Sequence, residues 1–398
     1  MVTVIFILLS ATIAFQSFII VKGETQDRGF VIKTTVIYSN PSNGTRIWNL
    51  TEEDRTINLF MNNAWQTVQL MNHSYGLETT TIDEDGNPIT VLCFPKSELQ
   101  PGENINYTVT YHALSKPRSL PNINEEGSET REDIPNDLKD RYSGAEGPWL
   151  VNNSKLQDLA RNITKGETKG LTIIKKLITW IRDNVTYKTH ETPLYPNQTY
   201  TEREGDCDDQ AILFITLCRI LRIPSYLQIG CIYMPTTPLT QNKYWDGHLT
   251  TCLKQIGWHG WAMVYVQPWG WLPVDFTYVI GGLGDPLNAI KRAAVVHFQE
   301  VIQYMNVTRT DYVASSRTYG DFLKNNDFYI HTQDEMTQTL PENPLGNIIE
   351  KLFPWIIIYA TIVVVVVIAG IFMYIRKEKK LKQPESKPNS NYGPIANP

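Results

Sequence analysis

Hydrophobic and polar positions alternate in different rhythms along this 398-residue chain. Val2 to Val21 is almost uninterrupted apolar sequence, and Gly23 then precedes the charged Glu24. This layout predicts a secretory signal over residues 1–23. No Lys or Arg precedes the apolar core, and the run is long enough to remain as an uncleaved anchor. From 29 to 113, short runs of β-formers such as Thr35-Val36-Ile37-Tyr38 and Tyr107-Thr108-Val109-Thr110-Tyr111 are divided by turn clusters at 83–88 and 99–103. The acids of the first cluster lack the spacing of a calcium loop, so a hairpin turn is expected.

These strands predict a small immunoglobulin-like β-sandwich over 29–113. Residues 114–148 are polar, acidic and proline-bearing, the composition of a linker. Helical spacing then begins. Ser154 to Ile163 is short. Thr168 to Asn184 carries Leu171, Ile174, Leu177, Ile178 and Ile181 on one stripe, with Thr168 as cap. A helix from Cys207 to Leu221 is apolar nearly all round, which predicts central burial. Arg222-Ile223-Pro224 ends it. Strand-like segments follow at Tyr226–Met234, His248–Ile256, His259–Val266 and Trp271–Asp275. Helices first and strands after predict an α+β domain over 149–340.

A second apolar run, 353–375, carries no charge and has the length of a transmembrane helix. Residues 376–398 open with Arg376, Lys377, Lys379, Lys380 and Lys382, which predicts a cytoplasmic tail. The body between the two runs is then extracytoplasmic and anchored in the cell membrane by a single span. Nine glycosylation sequons fall in that body, beginning at Asn43, Asn49, Asn72, Asn106, Asn152, Asn162, Asn184, Asn197 and Asn306. The net charge of −5 is spread out, and the only basic cluster is the tail, so nucleic acid is excluded as a partner. Five cysteines are too few for a disulfide scaffold, and the lack of a C-x-x-C pair speaks against a cysteine-built structural zinc site. Cys231 and Cys252 stand on adjacent predicted strands and are read either as a disulfide or as two free thiols.

The chemistry concentrates in Glu204-Gly205-Asp206-Cys207-Asp208-Asp209-Gln210. A thiol reacts as thiolate, and the first turn of a helix, with its unpaired N–H groups, favours negative charge. Asp206 is a candidate cap, and the Cys207 N–H a candidate oxyanion donor. Asp206, Asp208 and Asp209 oppose ionisation of the sulfur, so an imidazole is required nearby. His259, on a strand followed by a turn and a second strand ending at Asp275, fits: an antiparallel pair brings the two to one sheet edge. His190 and His248 lack such a neighbouring carboxylate.

Gly205-Asp206-Cys207-Asp208-Asp209-Gln210-Ala211, then Ile223-Pro224, then His259-Gly260-Trp261 and Trp271-Leu272-Pro273-Val274-Asp275 resemble the transglutaminase-like superfamily, in particular its membrane-anchored microbial members. The resemblance covers about 150–280. It implies a papain-like core with Cys207 as nucleophile, His259 as base and Asp275 as its orienter, and no cofactor or metal. It further implies a thiol enzyme acting on peptide or glutamine amide bonds through a thioester, with hydrolysis favoured over cross-linking. The alternative is an inactive cell-surface module that binds protein or glycan. Gly260 stands where the family commonly has alanine. Trp180, Gln198 and Tyr200 are the upstream candidates for a side-chain oxyanion donor.

Overall fold

In the computed structural model, residues 27–117, 122–278 and 285–339 are described, together with 358, 359 and 361. The chain opens with strand β1 (Arg28–Ser39), followed by β2 (Trp48–Asn49), the short helix α1 (Glu52–Arg55) and β3 (Thr56–Asn58). Next come β4 (Gln66–His73), β5 (Thr81–Ile82), β6 (Pro88–Val91), β7 (Glu98–Leu99) and β8 (Asn104–Ser115). A helical stretch contains α2 (Asn136–Tyr142), α3 (Ser154–Ile163), α4 (Gly170–Asn184) and, after β9 (Thr186–Tyr187), α5 (Pro196–Glu202). Then β10 (Glu204–Gly205) leads into α6 (Cys207–Ile220). The strands β11 (Ser225–Tyr233), β12 (Thr240–Tyr244), β13 (Leu249–Lys254), β14 (Ile256–Val266) and β15 (Gly270–Val274) follow. The unit closes with α7 (Asn288–Gln299), β16 (Val301–Val307), α8 (Tyr312–Asn326) and β17 (Tyr329–Thr339).

The sandwich expected over 29–113 is not built from those residues alone. Its main sheet has the order β12-β13-β17-β1-β8-β4, so half of its strands come from beyond residue 239. Strand β1 lies between β8 and β17, antiparallel to both, from Gly29 opposite Leu114 and Thr339 to Ser39 opposite Asn104 and Tyr329. Alternation does the sorting: Ile105, Tyr107, Val109, Tyr111 and Ala113 of β8 are buried and the residues between them face outward or the rim. Local alternation specified which face is apolar, and partners more than 200 residues away completed the sheet.

The second sheet, ordered β15-β14-β11-β16, is antiparallel throughout. One face, carrying Ala262, Val264, Val266, Leu272 and Val274, packs against α3, α4 and α6. Its other face contributes Cys231, Ile256 and Ile302 to the aromatic core of the six-stranded sheet. The order of layers is therefore helices, four-stranded sheet, six-stranded sheet, an α+β arrangement. Helix α6 is the central member: every residue from Asp209 to Arg219 is buried.

Two details depart from the sequence reading. Thr168 does not cap α4. Lys169 holds the N-cap position without a side-chain bond, and the free N–H groups of Gly170 and Leu171 are taken by Glu129 O (2.9 Å) and Ser128 Oγ (3.0 Å). The segment expected to be a linker is thus part of the helix terminus. At the end of α6, Arg222 adopts φ +60°, a left-handed conformation that favours glycine. Beneath it, Arg219 is 2% exposed. It donates to Ser225 O, Gly144 O and Thr308 O and lies 4.3 Å from the Trp149 ring centroid.

The chain divides into two compact units, 1–339 and 340–398. The signal segment 1–23 and the tail 376–398 lie outside the described residues, as does nearly all of the apolar run 353–375, of which only 358, 359 and 361 are described, as helical. Among the described residues no helix is long and apolar enough to cross a membrane.

Candidate active site

Cys207 occupies the first turn of α6, with Asp206 at the N-cap. Asp209 reaches back to accept the Asp206 N–H at 3.1 Å and takes the Leu194 N–H at 2.6 Å on its other oxygen. These bonds fix the turn that presents the sulfur, an arrangement that needs a carboxylate three residues into the helix. Gln210 Nε2 adds a bond to Gly205 O at 2.9 Å.

The strand that meets this terminus is β14. The Gly260 N–H points to the Cys207 sulfur, and a Cβ on Gly260 would come within 3.0 Å of Asp208 Cβ. An alanine here, common in the family, would need Asp208 to give by a few tenths of an ångström. The hairpin of β14 and β15 pairs Ala262 with Val274 and Val266 with Gly270. It leaves Asp275 one residue past the pairing and diagonal to His259. His259 Nε2 and Asp275 Oδ2 are 2.8 Å apart, and both side chains are buried (7% and 1% exposed). Asp275 Oδ1 accepts the N–H groups of Thr277 (3.0 Å) and Tyr278 (3.1 Å), so the carboxylate has no freedom to leave the ring. The imidazole sits 5.9 Å from both the Trp261 and Tyr278 rings. With Nε2 engaged, Nδ1 is the nitrogen left for proton exchange.

The electrostatics run against a resting thiolate. Burial pushes the Cys207 thiol well above its ordinary value, Asp208 and Asp206 push it further, and the N–H groups of Gly260 and Asp208 pull the other way. Asp208 Oδ1 lies 3.9 Å from the sulfur. Asp206 is itself raised, first by burial, then by a hydrogen bond and repulsion from Asp208. Asp208 also accepts the phenol of Tyr312, whose pKa burial and that carboxylate drive upward. The acidic neighbours noted in the sequence thus form one connected group around the nucleophile.

The three upstream oxyanion candidates have partners of their own. Trp180 and Tyr200 stack on each other (6.0 Å) beneath Arg203, and Gln198 accepts from Tyr195 N and Arg317. Tyr187, which the sequence reading passed over, is 57% exposed on β9 and pairs directly with Gly205, two residues before the cysteine. Its phenol is pushed up to about 12, by burial first and then by Cys207, Asp206 and Asp208. The only trace of it in the sequence is a β-forming pair, Thr186-Tyr187, at the end of a helix.

The Cys231–Cys252 disulfide is not formed. Both are free, as are the other cysteines, and they stand on strands of different sheets. Cys231 is buried, with its sulfur 4.0 Å from Met336 Sδ, and Cys218 is core. His248 is held by Phe328 O at 2.9 Å and stacked on Tyr329. The acids of the 83–88 turn have partners: Asp83 accepts from Asp85 and Asn87 within the turn, and Asp85 from Thr308 and Arg309 after β16.

A cysteine at the start of a buried helix, packed on the strand that carries a histidine–carboxylate pair, characterises this α+β scaffold. In comparison with known proteins, the chain matches a transglutaminase-like superfamily domain over residues 157–276. Among solved structures, it is similar to a candidate cysteine protease from Cytophaga hutchinsonii (16% identity, TM-score 0.47, 80% of this chain and 92% of that one). It is also similar to the periplasmic domain of TgpA from Pseudomonas aeruginosa (13%, 0.31, 67% and 92%). A third similarity is to red sea bream transglutaminase (10%, 0.26, 64% and 48%). At those scores the likenesses carry no argument about chemistry. No curated protein sequence matched the chain.

Proposed function

We propose that this protein is a thiol enzyme that cleaves peptide or glutamine amide bonds through a Cys207 thioester. The observation that carries the reading is the 2.8 Å contact between His259 Nε2 and a fully committed Asp275, on the strand pair whose Gly260 N–H meets the Cys207 sulfur. Because burial, and then the acidic group, keep the thiol protonated at rest, the proton moves as the sulfur attacks. Nδ1 of His259 takes it, the Cys207 S–C bond forms, and the carbonyl oxygen becomes an oxyanion. Asp275 stabilises the imidazolium. The Cys207 N–H and the Tyr187 hydroxyl are the donors we assign to the oxyanion. Collapse returns the proton from Nδ1 to the leaving amine, and water then resolves the thioester, so the net reaction is hydrolysis.

The ectodomain reading belongs to the same proposal: the body lies outside the cytoplasm, held at the membrane through 353–375. Seven of the nine sequon asparagines are exposed, all but Asn197 and Asn306, which suits that compartment. A second reading, a binding module without activity, is favoured by one observation, the raised thiol of Cys207. Peptide-resolved iodoacetamide labelling across pH, with ammonia release and cleavage of a peptide library, separates the two. Activity lost in Cys207→Ser and His259→Ala supports the enzyme. Absence of turnover, with Cys207 labelling unchanged in His259→Ala, overturns it in favour of the module. Inclusion of a primary amine reports transfer in place of hydrolysis.

A further inference from the structure

Three side chains outside the proposed triad converge behind the nucleophile turn. His190 lies three residues past β9, Glu202 ends α5 and Glu204 opens β10. One ring nitrogen of His190 and one oxygen of each glutamate lie within 4.8 Å of one another. They do not satisfy each other. The Nε2 of His190 is sealed from solvent and has no hydrogen-bond partner, a situation a native structure ordinarily avoids. Among the described residues Glu202 makes no ion pair, and Glu204 is met only by Lys188. A half-buried histidine with one unpartnered ring nitrogen, clustered with two carboxylates, offers the donor set of a divalent cation.

We propose that His190, Glu202 and Glu204 bind a zinc ion. Zinc takes imidazole nitrogen and carboxylate oxygen at about 2.0–2.2 Å, so tetrahedral ligand atoms stand roughly 3.4 Å apart. The ligand atoms stand within 4.8 Å of one another, and Glu202 is exposed, which leaves its side chain room to turn toward an ion. A lone hard cation such as magnesium is disfavoured by the imidazole and by the few oxygens. The ion's consequence follows from where the ligands sit. β9 and β10 pair over only Thr186–Tyr187 and Glu204–Gly205. Zinc bridging the segments around that pair fastens Gly205, and hence the turn bearing Cys207, to the strand bearing Tyr187. The site is therefore a brace for the nucleophile turn, and it stands whether or not the triad turns over substrate.

The test is zinc binding by the purified full-length chain in competition with a chromophoric chelator, with melting temperature followed in parallel. One zinc per chain is expected, raising the melting temperature. Affinity should fall at least thirtyfold in His190→Ala and in Glu202→Gln, and be retained in Cys207→Ser. Glu202 is exposed, so its variant decides the matter if His190→Ala fails to fold. Absence of stoichiometric zinc, binding indifferent to Glu202→Gln, or binding abolished only by Cys207→Ser overturns the site. The last result would place the ion on the Asp206–Cys207–Asp208 group, whose ligand atoms also lie within 4.8 Å.

Discussion

Replacing Asp208 by asparagine should make Cys207 more reactive. The carboxylate oxygen is 3.9 Å from the sulfur, and the isosteric amide keeps a carbonyl for the Tyr312 hydroxyl. Two unit charges about 4 Å apart repel by about 1 kcal/mol in water and about 4 kcal/mol at an effective dielectric of 20. Asp208 is only part-buried, which argues for the lower end. Removing its charge therefore favours the thiolate by something near 1.4 kcal/mol, about tenfold in thiolate population at a given pH. The sign is set by the direction of the shift: the Cys207 pKa is raised, so the thiol form is the resting one, and withdrawing a like charge lowers that pKa. The assay is the iodoacetamide rate at pH 6.5–8, resolved by mass spectrometry, because Cys93 is exposed and Cys252 partly exposed. The Cys207 rate should rise about tenfold with the other sites unchanged. An unchanged or slower Cys207 would refute the claim that Asp208 holds the thiol.

Three further outcomes are expected. Arg222→Gly relieves a left-handed residue by about 1 kcal/mol and forfeits an exposed ion pair with Asp140 worth about 0.5 kcal/mol, so chemical denaturation should show a net gain near 0.5 kcal/mol; a loss would contradict the φ assignment. Arg219→Ala removes a buried cation that satisfies three carbonyls and covers Trp149, and should cost 3 kcal/mol or more, measured by urea unfolding. Expressed through a eukaryotic secretory route, Asn306 should stay unmodified, since Gln228 Nε2 holds its Oδ1 at 2.9 Å and Thr308 is committed to Asp85, whereas exposed Asn72 and Asn106 should carry glycan; site-resolved glycopeptide mapping checks this.

Several local elements were legible because their periodicity is local. The apolar stripe of Leu171 to Ile181 lies buried in α4, the all-round apolar run after Cys207 is the central helix, and the Trp269 turn joins an antiparallel pair as its flanking alternation required. The N-cap of α4 was misplaced because its N–H partners, Ser128 and Glu129, lie outside the helix's own sequence. The sandwich boundary was misplaced for the same reason: β1 presents two unpaired edges, and nothing in Phe30 to Tyr38 says that β17 will take one of them.

By itself, the sequence determined the helices after Ser154, Thr168 and Cys207 and the strands around His259 and Trp271, that a cysteine opens a buried helix, and that a histidine on one strand is followed by an aspartate at the end of the next; it placed none of the elements between Asp275 and Thr339. Those properties depend on neighbours three or four positions away, or two. Tertiary structure alone decided that six strands from both ends of the 1–339 unit share one sheet, that Cys231 and Cys252 stay apart, and that Asp206, Asp208 and Tyr312 gather near the sulfur. It also decided that His190 reaches Glu202 and Glu204. Pairing free energy and Coulomb energy depend on distance in space, and chain separation carries no record of that distance until the core is packed.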